Sequence, residues 1–141
     1  MARLNTKLES KGARFLVLGQ MLIRGIDTSM PFEKMSGYDL VATHSDNRLS
    51  ARIQVRSRWR TDAPKFNVTN LACDFVVVVK LNRGSKDGTA KVLTPEYFVF
   101  PIAVIERAPR LSGNVHFDQF RNLEDYRNQW NLIGNFLDEG E

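Results

Sequence analysis

Asp39, Gln54 and Arg56 are polar residues on two neighbouring predicted strands and could together carry phosphate chemistry. A carboxylate and an amide oxygen are hard ligands suited to Mg²⁺, and the backbone carbonyl of Val55 could add a third. A metal ion held there would polarise a phosphodiester and activate water. A cation beside it would stabilise charge on the transferring phosphate. The alternative is a half-polar hairpin face with an Asp–Arg surface pair.

The elements that must position these residues form a predicted β-hairpin. Residues 38–43 and 49–56 alternate like strands, and Asp46-Asn47 between them suits a two-residue loop. This loop makes Asp39 face Gln54, with Cβ atoms roughly 5 Å apart. The core face would carry Tyr38, Leu40, Ala42, Ala51, Ile53 and Val55, and the other face Asp39, Val41, Thr43, Arg52, Gln54 and Arg56. A slip of one residue would place Asp39 among apolar groups.

A helix is predicted before the hairpin, from about Asn5 to Arg24. Gly25 suits the position that ends a helix. Gly12 and Gly19 lie seven residues apart, so we expect them to allow close packing against a sheet. The predicted core stripe has three- and four-residue spacings and consists of Leu8, Phe15, Leu18, Leu22 and the neighbouring Ile23.

The rest of the chain alternates strands and connectors. We expect a short extended segment at 28–32, a polar connector at 57–74 that could contain a helical turn, a strand buried on both faces at 75–81, and a strand at 97–100. Residues 102–108 could be strand or short helix. The connector is long enough for a crossover to a parallel strand.

The last predicted element is an amphipathic helix that starts at Asn122, a good N-cap residue. Its apolar seam has spacings of three and four residues and consists of Leu123, Tyr126, Trp130, Ile133 and Leu137. The seam packs on its own domain or, as the alternative, forms a homodimer contact.

Positive charge is concentrated in the first half of the chain. Residues 1–70 contain 12 Lys/Arg and 6 Asp/Glu, hence +6, whereas residues 71–141 contain 8 and 10, hence −2. The densest stretch includes Arg52, Arg58, Arg60 and Lys65. Such a patch attracts nucleic acid, although a solvated basic face without a partner is the alternative.

The order of these motifs resembles the PD-(D/E)XK nuclease superfamily. It runs from a helix ending in Arg24-Gly25 through residues 37–41 (Gly-Tyr-Asp-Leu-Val) to residues 52–57 (Arg-Ile-Gln-Val-Arg-Ser). The segment Gln54-Val55-Arg56 is similar to the Gln-x-Lys pattern of the homing-endonuclease branch, in which a neutral Gln stands in place of the second acidic residue. The strand at 74–79 and the strand that ends at Pro101 are also similar to that branch.

The resemblance implies a role for each matching residue. Asp39 would be the principal metal ligand, Gln54 the second ligand, and Arg56 would stand in place of the Lys. Glu9 would be an outer acidic residue, or otherwise a solvated helix-face Glu. The implied cofactor is Mg²⁺ or Mn²⁺, and the implied partner is DNA.

Arg56 departs from the pattern in a way that bears on catalysis. Lys is a compact donor that can lose its proton when desolvated, whereas Arg is planar and always charged. Arg can still bind phosphate through two parallel hydrogen bonds. The substitution therefore affects cleavage more than phosphate binding. Arg58 or Lys65 could supply the missing cation.

We expect a single α/β domain over residues 1–141, with a restriction-endonuclease-like mixed sheet flanked by helices. Three functions are compatible with it: a Mg²⁺-dependent DNA endonuclease, a non-catalytic DNA-binding module, or a protein-interaction module. With one cysteine, Cys73, and no apolar run of about 20 residues, a cytoplasmic protein without a membrane span is expected. Cys73 is expected in the core.

Overall fold

The computed structural model describes residues 6–33, 35–44, 46 and 49–139. Its α-helices are α1 (Thr6–Ile23), α2 (Ile102–Arg107) and α3 (Asn131–Asp138). Its strands are β1 (Asp27–Ser29), β2 (Leu40–Thr43), β3 (Ser50–Arg58), β4 (Lys65–Asn67), β5 (Phe75–Lys80), β6 (Glu96–Pro101) and β7 (Asn114–His116). No helix in this part of the chain has the length and apolar character needed to cross a membrane.

The main sheet has five strands in the order β1-β2-β3-β5-β6. β3 and β5 are parallel and the other neighbours are antiparallel, so the sheet is mixed, as predicted. The crossover between β3 and β5 contains β4, which pairs with β7 in a separate two-stranded sheet. The connector at 57–74 therefore holds a strand, and residues 102–107 form a helix.

The predicted hairpin register is confirmed where β2 and β3 pair. Leu40 lies opposite Ile53 and Ala42 opposite Ala51. Asn47, one of the two proposed loop residues, lies outside the described residues. The prediction for Tyr38 is wrong, because its ring packs on the opposite side of the sheet from Leu40.

Two cores cover the two faces of the sheet, because the apolar strand β5 alternates between them. Val77 and Val79 join the first core, which α1 and α3 cover. Val76 and Val78 join the second core, which is covered by α2, β4 and β7. The side of β3 that was predicted to be polar therefore also borders a core. Cys73 lies in this second core, 3% exposed, as predicted.

Helix α1 packs through a different face from the one predicted. Ala13, Val17 and Met21 are buried against the sheet. The larger residues of the predicted stripe point outward, and only Leu18 is packed against the core. Gly12 and Gly19 also face away, since a Cβ added at either would meet nothing within 4 Å.

The predicted C-terminal helix is wrong at its start. Leu123–Tyr126 form a short 3₁₀ turn, and the side chain of Asn122 makes no capping hydrogen bond. Arg127 bridges to Phe98 of β6, and Asn128 has a φ of 53°, which an α-helix cannot contain. Pairing with the edge of the sheet thus interrupts the helical pattern.

This interruption divides the apolar seam between the two cores. Leu123 and Tyr126 pack on the second core, whereas Trp130, Ile133 and Leu137 are buried in the first. The seam therefore packs on its own domain. Its three buried residues are not available for a dimer contact, and a homodimer through the remaining residues of the C-terminal helix stays a prediction.

The ion pair that joins Glu96 to Arg127 predicts a pH-dependent stability. Burial raises the pKa of Glu96, but the hydrogen bonds from Arg127 and Asn82 and the charges of Arg127 and Lys80 together lower it by more, so the pKa lies below its ordinary value of 4.5. Such a carboxyl stabilises the fold above its unfolded-state pKa and loses this contribution as the pH falls through the folded-state pKa. We expect Glu96→Gln to lower the free energy of unfolding by about 1 kcal/mol at neutral pH and by progressively less as the pH falls below 4.5. Urea unfolding at neutral pH and at a series of lower pH values measures this, and a loss that is the same at every pH would contradict it.

Candidate functional site

The candidate site lies just before the start of β2, where β3 continues with β5 as its one remaining neighbour in the sheet. Asp39 directly precedes β2, and its backbone N–H donates to the Ile53 carbonyl at 2.7 Å. Its Oδ2 accepts a hydrogen bond from the backbone N–H of Val55 at 2.8 Å. Hydrogen bonds thus join Asp39 to both neighbours of Gln54, which are Ile53 and Val55. The carboxylate uses Oδ2 for these bonds, and Oδ1 is its second oxygen.

Gln54 is buried, and its amide contacts other segments of the chain. It is 5% exposed, and its Nε2 donates to the carbonyls of Gly37 and Asn70, both at 2.8 Å. Since both partners are acceptors, the nitrogen must occupy this end of the amide. The Gln54 amide therefore ties together the chain segments at residues 37 and 70.

Gly37 can accept the hydrogen bond from Gln54 in this position because of its backbone conformation and the close approach of Ala72. Its φ is 88°, and a Cβ there would lie 2.8 Å from both the Cβ and the carbonyl oxygen of Ala72. Only glycine meets both conditions without strain. The segment that leads into Asp39 is consequently held against residues 70–72.

Arg56 lines the same cavity as Asp39, and the two do not form an ion pair. Its Nε donates to the Asn67 carbonyl on β4 at 2.7 Å. In the described part of the chain, its two terminal nitrogens have no hydrogen-bond acceptor. The alternative of an Asp–Arg surface pair is therefore not what the structure contains, and the guanidinium can receive a further acceptor.

Asp39, Val55 and Arg56 line one cavity of about 630 Å³ together with α1. The helix contributes Lys7, Lys11 and Arg14, and the loop after β1 contributes a second carboxylate, Glu33. Among the described residues, four cations and two carboxylates thus line this cavity.

Sequence reasoning missed the helix cations and Glu33 as site residues. Lys7, Lys11 and Arg14 are spaced by four and three residues and so share one face of α1, a signal that the sequence contains. Arg58 and Lys65, the two cations proposed from the connector, do not line this cavity. No comparable signal marks Glu33.

Glu9 lines a neighbouring cavity of about 560 Å³ with Arg58, Trp59 and Arg60. Thr6 lines both cavities, so they adjoin at the start of α1. Burial raises the pKa of Glu9, and the charge of Arg58 opposes the rise. Lys86 and Asp87, from the loop after β5, complete this second cavity with Ser57 and Ser85.

The four basic residues that were grouped by sequence lie in different places. Arg58 and Arg60 share the second cavity, and Lys65 begins β4 opposite His116. Arg52 lies six residues before Arg58 on β3, about 20 Å away. Its Nε is 3.3 Å from an oxygen of Asp74, which neutralises much of its charge.

The oxygen donors near Asp39 suit a hard divalent ion. Mg²⁺ takes one or two carboxylates and completes its shell with water and phosphate oxygens, and Asp39 and Glu33 line the same cavity. Gln54 does not line it. Within residues 6–33, 35–44, 46 and 49–139, no group of three His, Cys, Asp or Glu residues is arranged to hold a metal.

The comparisons with known proteins rest on the fold. No protein-family model matches the chain, and no curated protein matches it. Among solved structures, it is similar to a bacterial homing endonuclease, I-Ssp6803I, with a TM-score of 0.66 and 21% sequence identity. The match covers 98% of this chain and 95% of that one. The chain therefore has the fold of this endonuclease structure.

Proposed function

We propose that the chain is a Mg²⁺- or Mn²⁺-dependent DNA endonuclease of the PD-(D/E)XK type. The observation that carries the proposal is the cavity in which Asp39 meets Arg56 and three cations of α1. A carboxylate beside several cations suits a phosphodiester, because the cations bind the phosphate and the carboxylate holds a metal. The likeness to the homing-endonuclease structure adds support through the fold.

Asp39 is the residue best placed to hold the metal. The Val55 N–H fixes one carboxylate oxygen and so orients the other. Glu33 and the Val55 carbonyl are further candidate ligands, and Gln54 can offer only Oε1, because Nε2 donates to two carbonyls. A divalent ion bound here would polarise the scissile phosphate and activate a water molecule.

The cations divide into two groups with different roles. Arg56 presents two terminal nitrogens and binds a phosphate oxygen pair, and Lys7 or Lys11 supplies the compact donor that Arg56 cannot replace. Arg58, Arg60 and neighbouring Trp59 extend the surface beyond the cavity, where they bind flanking phosphates and stack on a base or sugar. The ion-paired Arg52 contributes less.

A non-catalytic DNA-binding module is the second candidate function. It is favoured by Arg56 in place of Lys and by the lack, in the described ranges, of a three-residue metal cluster. The cationic lining would then hold DNA without cutting it. Such binding weakens steeply with salt and needs no metal.

Incubation of the purified chain with supercoiled plasmid DNA tests both candidates. The endonuclease should nick or linearise the plasmid with Mg²⁺ or Mn²⁺ and stop when EDTA is added. Salt-sensitive binding without cleavage, in either metal, would select the second candidate. Neither cleavage nor binding at low salt would exclude both.

Arg56→Lys should raise the rate of cleavage by about tenfold or more, because Lys can approach the attacking water and exchange a proton. Single-turnover cleavage with Mg²⁺ measures the change. Arg58→Lys is the matched control, since it is the same substitution two residues along β3, in the neighbouring cavity. Equal effects of the two substitutions would contradict a special role for position 56. If the natural chain and the Arg56→Lys variant are both inactive, the endonuclease proposal is abandoned.

A further inference from the structure

The second cavity contains a carboxylate and a guanidinium that make no hydrogen bond to the described part of the chain. Glu9 is half-buried on α1, and Arg58 is half-buried at the end of β3. The charge of Arg58 acts on Glu9, but the two side chains form neither a hydrogen bond nor an ion pair with any described residue. A partly desolvated carboxylate favours a ligand that brings N–H donors.

The backbone that carries Arg58 and Trp59 is held by the segment after β5. The Arg58 carbonyl accepts a hydrogen bond from the Leu81 N–H at 2.9 Å, and the Trp59 carbonyl accepts one from the Arg83 N–H at 2.8 Å. The Trp59 ring lines the cavity and makes no ring contact with another described residue. It is therefore available to stack on a planar ligand.

The loop after β5 adds a cation to the cavity and is ordered by Asp87. Asp87 Oδ1 accepts hydrogen bonds from Ser85 Oγ at 2.6 Å and from the backbone N–H and Oγ1 of Thr89 at 3.0 and 2.7 Å. These bonds, led by that from Ser85, lower the pKa of Asp87 to about 2, so the carboxylate stays charged at neutral pH. Lys86 of this loop and Arg60 are exposed cations beside the same cavity, which suits a phosphate group.

We propose that this cavity binds an unpaired guanine nucleotide, with the base stacked on Trp59 and hydrogen-bonded by Glu9 and Arg58. Guanine has two adjacent donors, N1–H and the 2-amino group, which match the two oxygens of a carboxylate. It has two adjacent acceptors, O6 and N7, which match the fork of a guanidinium. Around this base Glu9 and Arg58 would interact through their charges without touching, which is also their relation in the structure.

The other bases match this pair of groups less completely. Adenine and cytosine offer a carboxylate one amino group, and thymine offers one ring N–H, in each case without a second donor beside it. A volume of about 560 Å³ lies in the range of small-molecule sites. In a duplex the N1–H and 2-amino group of guanine bind the opposite base, so the ligand is a free nucleotide or a base turned out of the helix.

This assignment refines the role of the cavity in the proposed function, where it binds flanking DNA. Thr6 lines both cavities, so a guanine held here would lie next to the phosphate held beside Asp39. That consequence rests on the proposed function, whereas the binding of a free guanine nucleotide does not.

Calorimetric titration of the full chain in EDTA tests the site without metal or cleavage. dGMP should bind about tenfold more tightly than TMP, and about tenfold more tightly than dIMP, which lacks the 2-amino group. Glu9→Gln should bind dGMP and dIMP about equally. Glu106→Gln is the control, because it removes an exposed carboxylate from α2 and should keep the natural difference. A dIMP difference that persists in Glu9→Gln would overturn the assignment of Glu9 to the base.

A second nucleotide analogue tests Arg58. The natural chain should bind 7-deaza-dGMP, which lacks the N7 acceptor, about tenfold more weakly than dGMP. This difference should disappear in Arg58→Lys, because Lys has no fork to match O6 and N7. Equal affinity of the natural chain for the two nucleotides would contradict the contact.

Tryptophan fluorescence locates the base. dGMP should quench the emission of the natural chain and leave that of Trp59→Phe unchanged, since the other tryptophan, Trp130, is 2% exposed. Quenching that persists in Trp59→Phe would place the base outside this cavity and overturn the proposal.

DNA duplexes with one unpaired base distinguish the two sources of guanine. In EDTA, a duplex with a bulged guanine should bind about tenfold more tightly than one with a bulged thymine if the site accepts a base turned out of DNA. A preference for dGMP alone would identify the free nucleotide as the ligand, and no preference for guanine in either form would overturn the proposal. A chain that selects guanine without cutting DNA would retain this proposal, and one that cuts DNA without selecting guanine would retain only the endonuclease.

Discussion

Asp39→Asn should reduce metal-dependent DNA cleavage by a factor of about 10² to 10³ while leaving the fold intact. The amide oxygen of Asn can still accept the hydrogen bond from Val55, so the backbone around the site should not change. The carboxylate charge that would hold a divalent ion is lost. DNA binding at low salt should be retained or become tighter, because a negative charge leaves a cavity lined by cations.

Single-turnover cleavage with Mg²⁺ and a binding assay without metal separate these two effects. Glu106→Gln is the matched control, because it also removes one carboxylate, from the exposed face of α2. Cleavage by Asp39→Asn at the natural rate would exclude Asp39 as a metal ligand. Loss of binding together with cleavage would instead indicate that the site had changed shape.

Phe100→Ala should lower the free energy of unfolding by about 3 to 5 kcal/mol. Phe100 is 0% exposed at the centre of the second core. Its ring centroid lies 4.9 Å from those of Phe120 and Tyr126 and 5.7 Å from that of Phe66. Truncation would remove these contacts and leave a cavity in closely packed surroundings.

Urea unfolding measures this loss. Phe32→Ala is the matched control, because Phe32 is fully exposed and the same truncation there should change stability by less than about 0.5 kcal/mol. A loss below about 1 kcal/mol for Phe100→Ala would mean that the second core collapses readily around the gap.

The second core also bears on the candidate site. Phe66 of β4 stacks on Phe100, and the next residue, Asn67, accepts the hydrogen bond from Arg56. Loosening of this core would therefore free the Arg56 side chain. We expect Phe100→Ala to weaken DNA binding through Arg56 as well as to destabilise the chain.

The pairing of the two hairpin strands could be predicted because side chains along a strand alternate between its two faces with a period of two. The polar turn and the two alternating runs predicted the pairing of Leu40 with Ile53. The unbroken apolar run of β5 predicted a strand buried on both faces, and two cores do cover it. These features depend on neighbours in sequence, which is why the sequence by itself determined the mixed sheet and brought Asp39 close to residues 54–56.

The buried face of α1 was decided only in three dimensions. Its sequence offers two apolar faces, one with Leu and Phe and the other with Ala13, Val17 and Met21. Periodicity cannot choose between them, because both have helical spacing. The face with Ala13, Val17 and Met21 packs on the sheet. In this orientation Lys7, Lys11 and Arg14 line the cavity with Asp39, and Phe15 is exposed to solvent.

Contacts distant in sequence decided the remaining differences. The C-terminal pattern reads as one helix, but pairing of Arg127 with β6 interrupts it. Gln54 lies on the predicted face of β3. Its amide, however, donates to carbonyls of two separate segments, and Gln54 does not line the cavity. The sequence thus determined which strand carries the candidate chemistry, and the tertiary structure decided which side chains share a cavity with Asp39, because only packing brings distant segments together.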